Sequence, residues 1–169
     1  MTASRTPPLE TVRALQAALA EAGVPSVVGG SGLLAALELV DEARDWDLVL
    51  PAGSVEAVER VLAALGLEAT RAADEHPLYA TEAMFTVDAG DHTIDVLVGF
   101  ALRTPDGVVA IPARAGGTWR GLVMARADDW VVAYRAMGRD ARAELLEGAS
   151  PGGLSAGAHP PRGSAPPSS

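Results

Sequence analysis

The fold is decided by two stretches of sequence, Val27-Val28-Gly29-Gly30-Ser31-Gly32 and Arg44-Asp45-Trp46-Asp47-Leu48-Val49-Leu50. The first predicts a short buried strand that runs into a glycine-rich turn opening a helix. That helix is expected over residues 33–40, which are apolar nearly all round. The second stretch predicts a central strand over residues 46–50, which Pro51 ends.

Helical and strand patterns alternate along the rest of the chain. Apolar residues at helical spacing predict a helix over residues 9–22, and Ser54 is placed to cap another that stops at Gly66. Short strands are expected over residues 67–70 and 108–111, with a loop over 72–82. A hairpin is predicted with arms 83–87 and 92–100, and Asp128 is placed to cap a helical region, 129–147, interrupted near Gly138. We therefore predict an α/β (α+β) mixed sheet with flanking helices and a C-terminal helical segment.

The chain of 169 residues is long enough for one domain with a hydrophobic core. We place this domain at residues 1–148. Residues 149–169 are rich in Pro, Gly and Ser, and Leu154 is their one large apolar side chain, so a disordered tail is expected there.

Composition excludes several classes of function. The sequence has no Cys, which excludes disulfides and Cys-ligated metal sites, and all 13 of its basic residues are Arg, which excludes lysine nucleophiles. A net charge of −9 and 4% aromatic residues argue against binding to duplex DNA. No apolar run is long enough to span a membrane and no signal-peptide core is present, so we expect a cytoplasmic, bacterial-type protein with no membrane partner.

The glycine-rich turn is a candidate phosphate site. Backbone N–H groups at Gly29 and Gly30 can approach an anion closely, and Ser31 adds a hydroxyl donor. A plain tight turn without a ligand is the alternative interpretation.

Acidic residues interrupt two apolar strands. Asp45 and Asp47 lie two positions apart and project from the same face of a strand, while Asp95 interrupts the apolar run His92-Thr93-Ile94-Asp95-Val96-Leu97-Val98. A carboxylate within a buried strand needs a cation or a hydrogen-bond donor beside it. Carboxylate oxygens are hard ligands, which suit Mg²⁺ or Mn²⁺. If the two strands are neighbours, the three acids converge as a two-metal site requires. The alternatives are a solvated strand edge for Asp45 and Asp47, and an arginine partner for Asp95.

Taken together, these features resemble the nucleotidyltransferase fold of the DNA polymerase β superfamily. The matching positions are Gly30-Ser31 for the turn, Asp45 and Asp47 for the acidic pair, and Asp95 for the third acid. The stretch from Asp129 to Arg139 is also similar to the helix that closes small bacterial members. The resemblance covers roughly residues 9–147.

This resemblance implies a metal-dependent nucleotidyltransferase that moves an NMP group from an NTP to a hydroxyl acceptor and releases pyrophosphate. Asp45, Asp47 and Asp95 would be the catalytic, metal-binding residues, with Asp95 also helping to deprotonate the acceptor. Gly29, Gly30 and Ser31 would bind the phosphates of the NTP. The acceptor would be a small molecule, a protein or an RNA.

One departure from the family pattern concerns positive charge. Many active relatives carry a basic residue soon after the turn, whereas Leu33 and Leu34 follow it here. Arg135, Arg139 and Arg142 could supply the charge if they share one helix face, and Arg139 is the strongest candidate for binding the NTP. A solvated face is the alternative for this arginine stripe, and Arg44 could act as a counter-ion for the acids.

Two further interpretations stay open. Gly30-Ser31-Gly32-Leu33-Leu34-Ala35 satisfies a relaxed dinucleotide fingerprint, although the acids precede the second strand and a hairpin replaces the later βαβ units. The chain could also be a catalytically inactive or antitoxin-like interaction protein of the same fold, and a homodimer or a protein partner is compatible with that reading. His76 and Tyr79, in the long loop, are candidates for lining an acceptor pocket.

Overall fold

The computed structural model describes residues 6–73 and 76–149, and within them the chain forms one mixed sheet flanked by helices. The helices are α1 (Glu10–Glu21), α2 (Gly30–Ala36), α3 (Val55–Ala64), α4 (Ala127–Ala136) and α5 (Asp140–Glu147). The strands are β1 (Val27–Gly29), β2 (Trp46–Leu50), β3 (Ala69–Arg71), β4 (Ala83–Asp88), β5 (Thr93–Val98), β6 (Ala101–Thr104), β7 (Gly107–Ala110), β8 (Ala115–Trp119) and β9 (Leu122–Ala125). The predicted fold class is confirmed.

The sheet has seven strands in the order β3-β4-β5-β2-β1-β9-β8, and β6 and β7 form a separate hairpin. The pairs β2–β5 and β1–β9 are parallel, and the other neighbours are antiparallel. Since β1 and β2 run antiparallel, they cannot be the first two strands of a parallel dinucleotide-binding unit, and that interpretation is wrong.

Strands β2 and β5 form the centre of the sheet because almost all their side chains are apolar. Trp46 and Leu48 of β2 and Ile94 and Val96 of β5 are fully buried. Such strands, covered on both faces, belong at the middle of a sheet rather than at its edge. The partly exposed residue within β2 is Asp47, and this exception faces the site described below.

Helix α1 is fixed to the sheet by an apolar stripe and one polar residue. Val12, Leu15 and Leu19 are fully buried, as the helical spacing predicted. Buried Gln16 donates to the carbonyl oxygens of Ser26 (3.0 Å) and Val123 (3.1 Å), and its own oxygen accepts the Val123 N–H at 2.8 Å. Its side chain therefore joins α1 to both β1 and β9.

Two helices have boundaries that differ from the prediction, and one predicted cap makes no hydrogen bond. Helix α2 starts in the glycine turn and ends at Ala36, because Glu38 adopts a left-handed φ of 60° that carries the chain out of the helix. Ser54 holds the cap position of α3 but makes no capping side-chain hydrogen bond. Asp128 is not the cap of α4: it lies inside the first turn, where its carboxylate pairs with Arg126 at 2.9 Å.

Strands β6, β8 and β9 were not predicted. Strand β8 reads Ala115-Gly116-Gly117-Thr118-Trp119, which lacks the alternation typical of a strand. A Cβ on Gly116 would lie 2.7 Å from the Ala125 carbonyl oxygen, and the β8–β9 register shifts between Ala115 and Gly117. Gly116 thus allows close backbone approach at a bulge, which sequence periodicity does not report.

Two further predictions concern the C-terminal tail and the absence of a membrane-spanning helix. The predicted tail, apart from Ala149, falls outside the described residues. Among the helices that are described, none combines the length and apolarity needed to cross a membrane.

We predict that Gly29→Ala lowers the free energy of unfolding by about 1–3 kcal/mol. Gly29 has an ordinary φ of −116°, but a methyl group there would overlap the indole ring of buried Trp130. Gly148→Ala is the matched control, because Gly148 has a φ of −81° and its Cβ would meet nothing closer than 3.6 Å. Chemical denaturation should show stability unchanged or slightly raised in the control, and equal effects of the two substitutions would contradict this packing assignment.

Candidate active site

A cavity of about 260 Å³ opens at the edge of the central strands. The glycine turn, the two acidic strands, the loop before β4 and the two C-terminal helices all contribute to its lining. Nearly all candidate site residues from the sequence meet here. The lining includes Gly30, Ser31, Asp45, Asp47, Asp95 and Arg139.

The acids converge because β2 and β5 are parallel and in register. Asp47 and Asp95 are direct partners across this pair, so their side chains emerge next to each other on one face. Asp45 lies one residue before β2 and lines the same cavity. Asp47 and Asp95 therefore lie side by side, whereas the predicted three-acid metal site stays a prediction.

Two threonine hydroxyls support the outer carboxylates. Thr86 Oγ1 donates to Asp95 Oδ1 at 3.1 Å, and Thr93 Oγ1 donates to Asp45 Oδ1 at 3.4 Å. Within the described residues, no ion pair involves Asp45, Asp47 or Asp95. The alternative that an arginine salt bridge occupies Asp95 is therefore not what the structure shows.

Asp47 carries the largest electrostatic perturbation in the site. Its pKa is raised to about 7, chiefly by burial and also by the neighbouring charges of Asp95 and Asp45, against the opposing effect of Arg139 and Arg142. The pKa of Asp95 is also raised, chiefly by burial. The pair is thus held at a real electrostatic cost, which a bound cation would relieve.

The carboxylates of the cavity meet part of what a divalent ion needs. Within the described part of the chain, no group of three or more His, Cys, Asp or Glu side chains is arranged as a ready metal site. Asp47 and Asp95 supply a pair of carboxylates, and Mg²⁺ is commonly held by one or two carboxylates together with substrate phosphates and water. The residues fit such a shared site, and they do not form an all-protein cage.

The glycine turn is pressed against this acidic pair. Gly30 adopts a φ of +60°, and a methyl group there would overlap Asp47 Oδ2. Ser31 Oγ accepts the Arg44 N–H at 3.0 Å and donates to the Asp45 carbonyl oxygen at 3.4 Å, so it ties the turn to the segment that carries the acids. Gly29 is absent from the cavity lining and instead makes room for Trp130.

Positive charge comes from the junction between α4 and α5. Gly138, with a φ of +74°, ends α4, and the Arg139 N–H donates to the Tyr134 carbonyl oxygen at 2.8 Å. This turn places Arg139 and Arg142 in the cavity wall. Arg44, considered as a counter-ion, also lines the cavity.

Of the three arginines considered for one helix face, two line the cavity and Arg135 does not. The helix does not continue past Gly138, so Arg135 lies on a different face and pairs with Glu147 at 2.6 Å. The break, rather than a continuous helix, brings the other two arginines to the cavity.

Aromatic residues that the sequence did not single out form the cavity floor. The ring centroids of Phe100 and Trp130 are 5.5 Å apart, and those of Trp130 and Tyr134 are 5.4 Å apart. Arg114 bonds Asp129 Oδ2 at 3.0 Å, which fixes the start of α4 beside Trp130. The only sequence signal for this floor was the resemblance of the 129–139 stretch.

We predict that Asp47→Asn stabilises the protein more at pH 8 than at pH 5, by on the order of 2 kcal/mol. The folded state keeps the Asp47 proton up to about pH 7, whereas the unfolded chain releases it near the ordinary aspartate pKa of 3.8. Wild-type stability is consequently lost as the pH rises through this window. Denaturation without divalent ions measures the effect, and Asp106→Asn at an exposed turn controls for removal of one negative charge. The same pH dependence in both variants would contradict the assignment.

Known proteins resemble this chain in structure rather than in sequence. No protein-family model and no curated protein matches the sequence. A presumed nucleotidyltransferase (TM1012) from Thermotoga maritima superposes with a TM-score of 0.59 at 19% identity, covering 82% of this chain and 89% of that one.

Two structures of the antibiotic-resistance factor ANT(2'')-Ia also match, each at 17% identity with a TM-score of 0.53. The match to its complex with adenylyl-2''-tobramycin covers 82% of this chain and 86% of that one, and the match to its solution structure covers 82% and 81%. Identities this low establish the fold alone. Seen with the strand order and the acidic pair, they show that the chain has the nucleotidyltransferase fold that its sequence predicts.

Proposed function

We propose that the protein is a metal-dependent nucleotidyltransferase that moves an NMP group from an NTP to a hydroxyl acceptor. The observation that carries this proposal is the pair Asp47 and Asp95, side by side in a cavity that Arg139 and Arg142 also line. A polyphosphate with its cation is the ligand class that suits carboxylates and arginines in one cavity. The ANT(2'')-Ia complex contains an adenylylated small molecule, which supports the same reaction class for this fold.

The arginines would bind the phosphates of the NTP. Guanidinium groups donate several hydrogen bonds in a fixed plane and match phosphate oxygens well. Arg139 and Arg142 already act on Asp47 by their charge, so phosphates in the cavity would experience both the arginines and the acids. Gly30 and Ser31 would close the site from the turn, and Gly29 would act by letting Trp130 pack behind it.

The acidic residues would hold the ion and accept a proton. Asp47 and Asp95, with Asp45 at the cavity edge, would hold Mg²⁺ or Mn²⁺. The ion, when bound, would neutralise negative charge on the phosphates. Asp95 would receive the proton of the acceptor hydroxyl as its oxygen attacks the α-phosphorus and pyrophosphate leaves. In this scheme catalysis comes mainly from positioning and charge neutralisation.

We predict that the acidic residues contribute to nucleotide binding only through a divalent ion that they hold. ATP or GTP with Mg²⁺ should raise the melting temperature of the wild type, because a ligand that binds only the folded state stabilises it. The Asp45→Ala/Asp47→Ala variant should show no such rise, and incubation of labelled NTPs with candidate acceptors should give product with the wild type only.

Equal stabilisation of wild type and variant would exclude metal-bridged binding at these acids. Absence of both turnover and nucleotide binding would favour the interaction-protein alternative.

Arg139→Ala is predicted to weaken NTP binding at least tenfold, or about 1.4 kcal/mol. Arg135→Ala is the matched control, since Arg135 precedes the same helix junction but pairs with Glu147 away from the cavity. Calorimetric titration with a non-hydrolysable NTP analogue and Mg²⁺ measures both affinities. Equal losses in the two variants would show that general positive charge, rather than the cavity wall, determines binding.

A further inference from the structure

Three side chains bring hydroxyl groups to the lining of the cavity within the described residues: Ser31, Tyr79 and Tyr134. Ser31 Oγ both accepts and donates a backbone hydrogen bond. Tyr134 is 1% exposed, and the Arg142 guanidinium lies 5.7 Å from the centre of its ring. Tyr79 is partly exposed, so its phenol is the hydroxyl that a ligand in the cavity can reach.

The position of Tyr79 is fixed by its neighbours. Its backbone forms an antiparallel bridge with Leu102 of the β6–β7 hairpin. Its ring lies between His76, at 4.8 Å between centroids, and Phe100, at 6.3 Å. His76 Nδ1 in turn accepts the Tyr79 N–H at 3.2 Å, which holds the turn that presents the ring. The phenol is therefore held in place at the cavity rather than carried on an open loop.

The same charged groups that define the active site act on this phenol. Burial raises the pKa of Tyr79, the charges of Asp47 and Asp95 raise it further, and Arg139 lowers it. Tyr79 thus lies within electrostatic range of both the carboxylates and the arginine assigned to the NTP.

We propose that Tyr79 is itself an acceptor, so that the protein attaches an NMP group to its own cavity tyrosine. This inference rests on the proposed function. The Tyr79 phenolic oxygen would form a bond to the α-phosphorus of the NTP, and the bond from that phosphorus to the bridging oxygen would break. Pyrophosphate leaves with that oxygen, and the phenolic proton passes to Asp95. The product is a tyrosyl phosphodiester that keeps a nucleotide in the cavity, which limits the reaction to one adduct per chain.

The experiment uses the full chain with no added acceptor. The protein is incubated with each of the four NTPs and with Mg²⁺ or Mn²⁺, and intact mass and peptide mapping then locate any adduct. We expect a mass increase of one NMP per chain, confined to the peptide that contains Tyr79. Tyr79→Phe keeps the ring between His76 and Phe100 but removes the nucleophile, so its adduct should fall at least tenfold. Asp95→Asn, which retains Tyr79, should also lose the adduct.

The outcomes separate this inference from the function on which it rests. Nucleotide binding is followed in parallel by the metal-dependent rise in melting temperature. No adduct, or one unaffected by Tyr79→Phe, in a protein that binds NTP and Mg²⁺ overturns self-modification and leaves the proposed function standing. A protein that neither binds NTP nor forms an adduct overturns both. Tyr79→Phe should melt at the same temperature as the wild type without nucleotide, which excludes misfolding as the cause of a lost adduct.

Discussion

The parallel pairing of β2 with β5 imposes the constraint on which the rest of the site depends. It sets Asp47 beside Asp95 at the centre of the sheet, where burial and like charge both oppose ionisation. The sheet around them is apolar, with Trp46 and Ile94 fully buried behind the pair. The fold therefore keeps two acids where hydrophobic residues would be more stable, a pattern typical of functional sites rather than of structural ion pairs.

Neighbouring elements are shaped around that pair. Gly30 has to be glycine because its φ is positive and because Asp47 fills the space of a side chain. The helix break at Gly138 has a comparable effect on the positive charge, since Arg139 after the break lines the cavity while Arg135 before it pairs with Glu147 outside. Backbone geometry at two glycines thus contributes to bringing acidic and basic side chains into one cavity.

Much of this arrangement could be predicted from the sequence, and the remainder could not for physical reasons. The central strand and the acids Asp47 and Asp95 could be predicted because both acids interrupt apolar strands. A charged side chain in a buried strand is costly unless it has a partner. Strand β8 escaped prediction because Gly116 and Gly117 serve a bulge and carry no hydrophobic pattern. Of the two loop residues that the sequence offered for a pocket, Tyr79 lines the cavity and His76 does not. The bridge from Tyr79 to Leu102, which holds the ring there, joins distant parts of the chain, and no local pattern encodes it.

The central claim is that Asp47 and Asp95 share a divalent cation with the phosphates of an NTP. Crystals grown with Mn²⁺ and a non-hydrolysable NTP analogue test it directly through the anomalous scattering of manganese. We expect a manganese peak between the two carboxylates, with the triphosphate lying against Arg139. Nucleotide bound elsewhere, or bound in this cavity without manganese at the two acids, would contradict it.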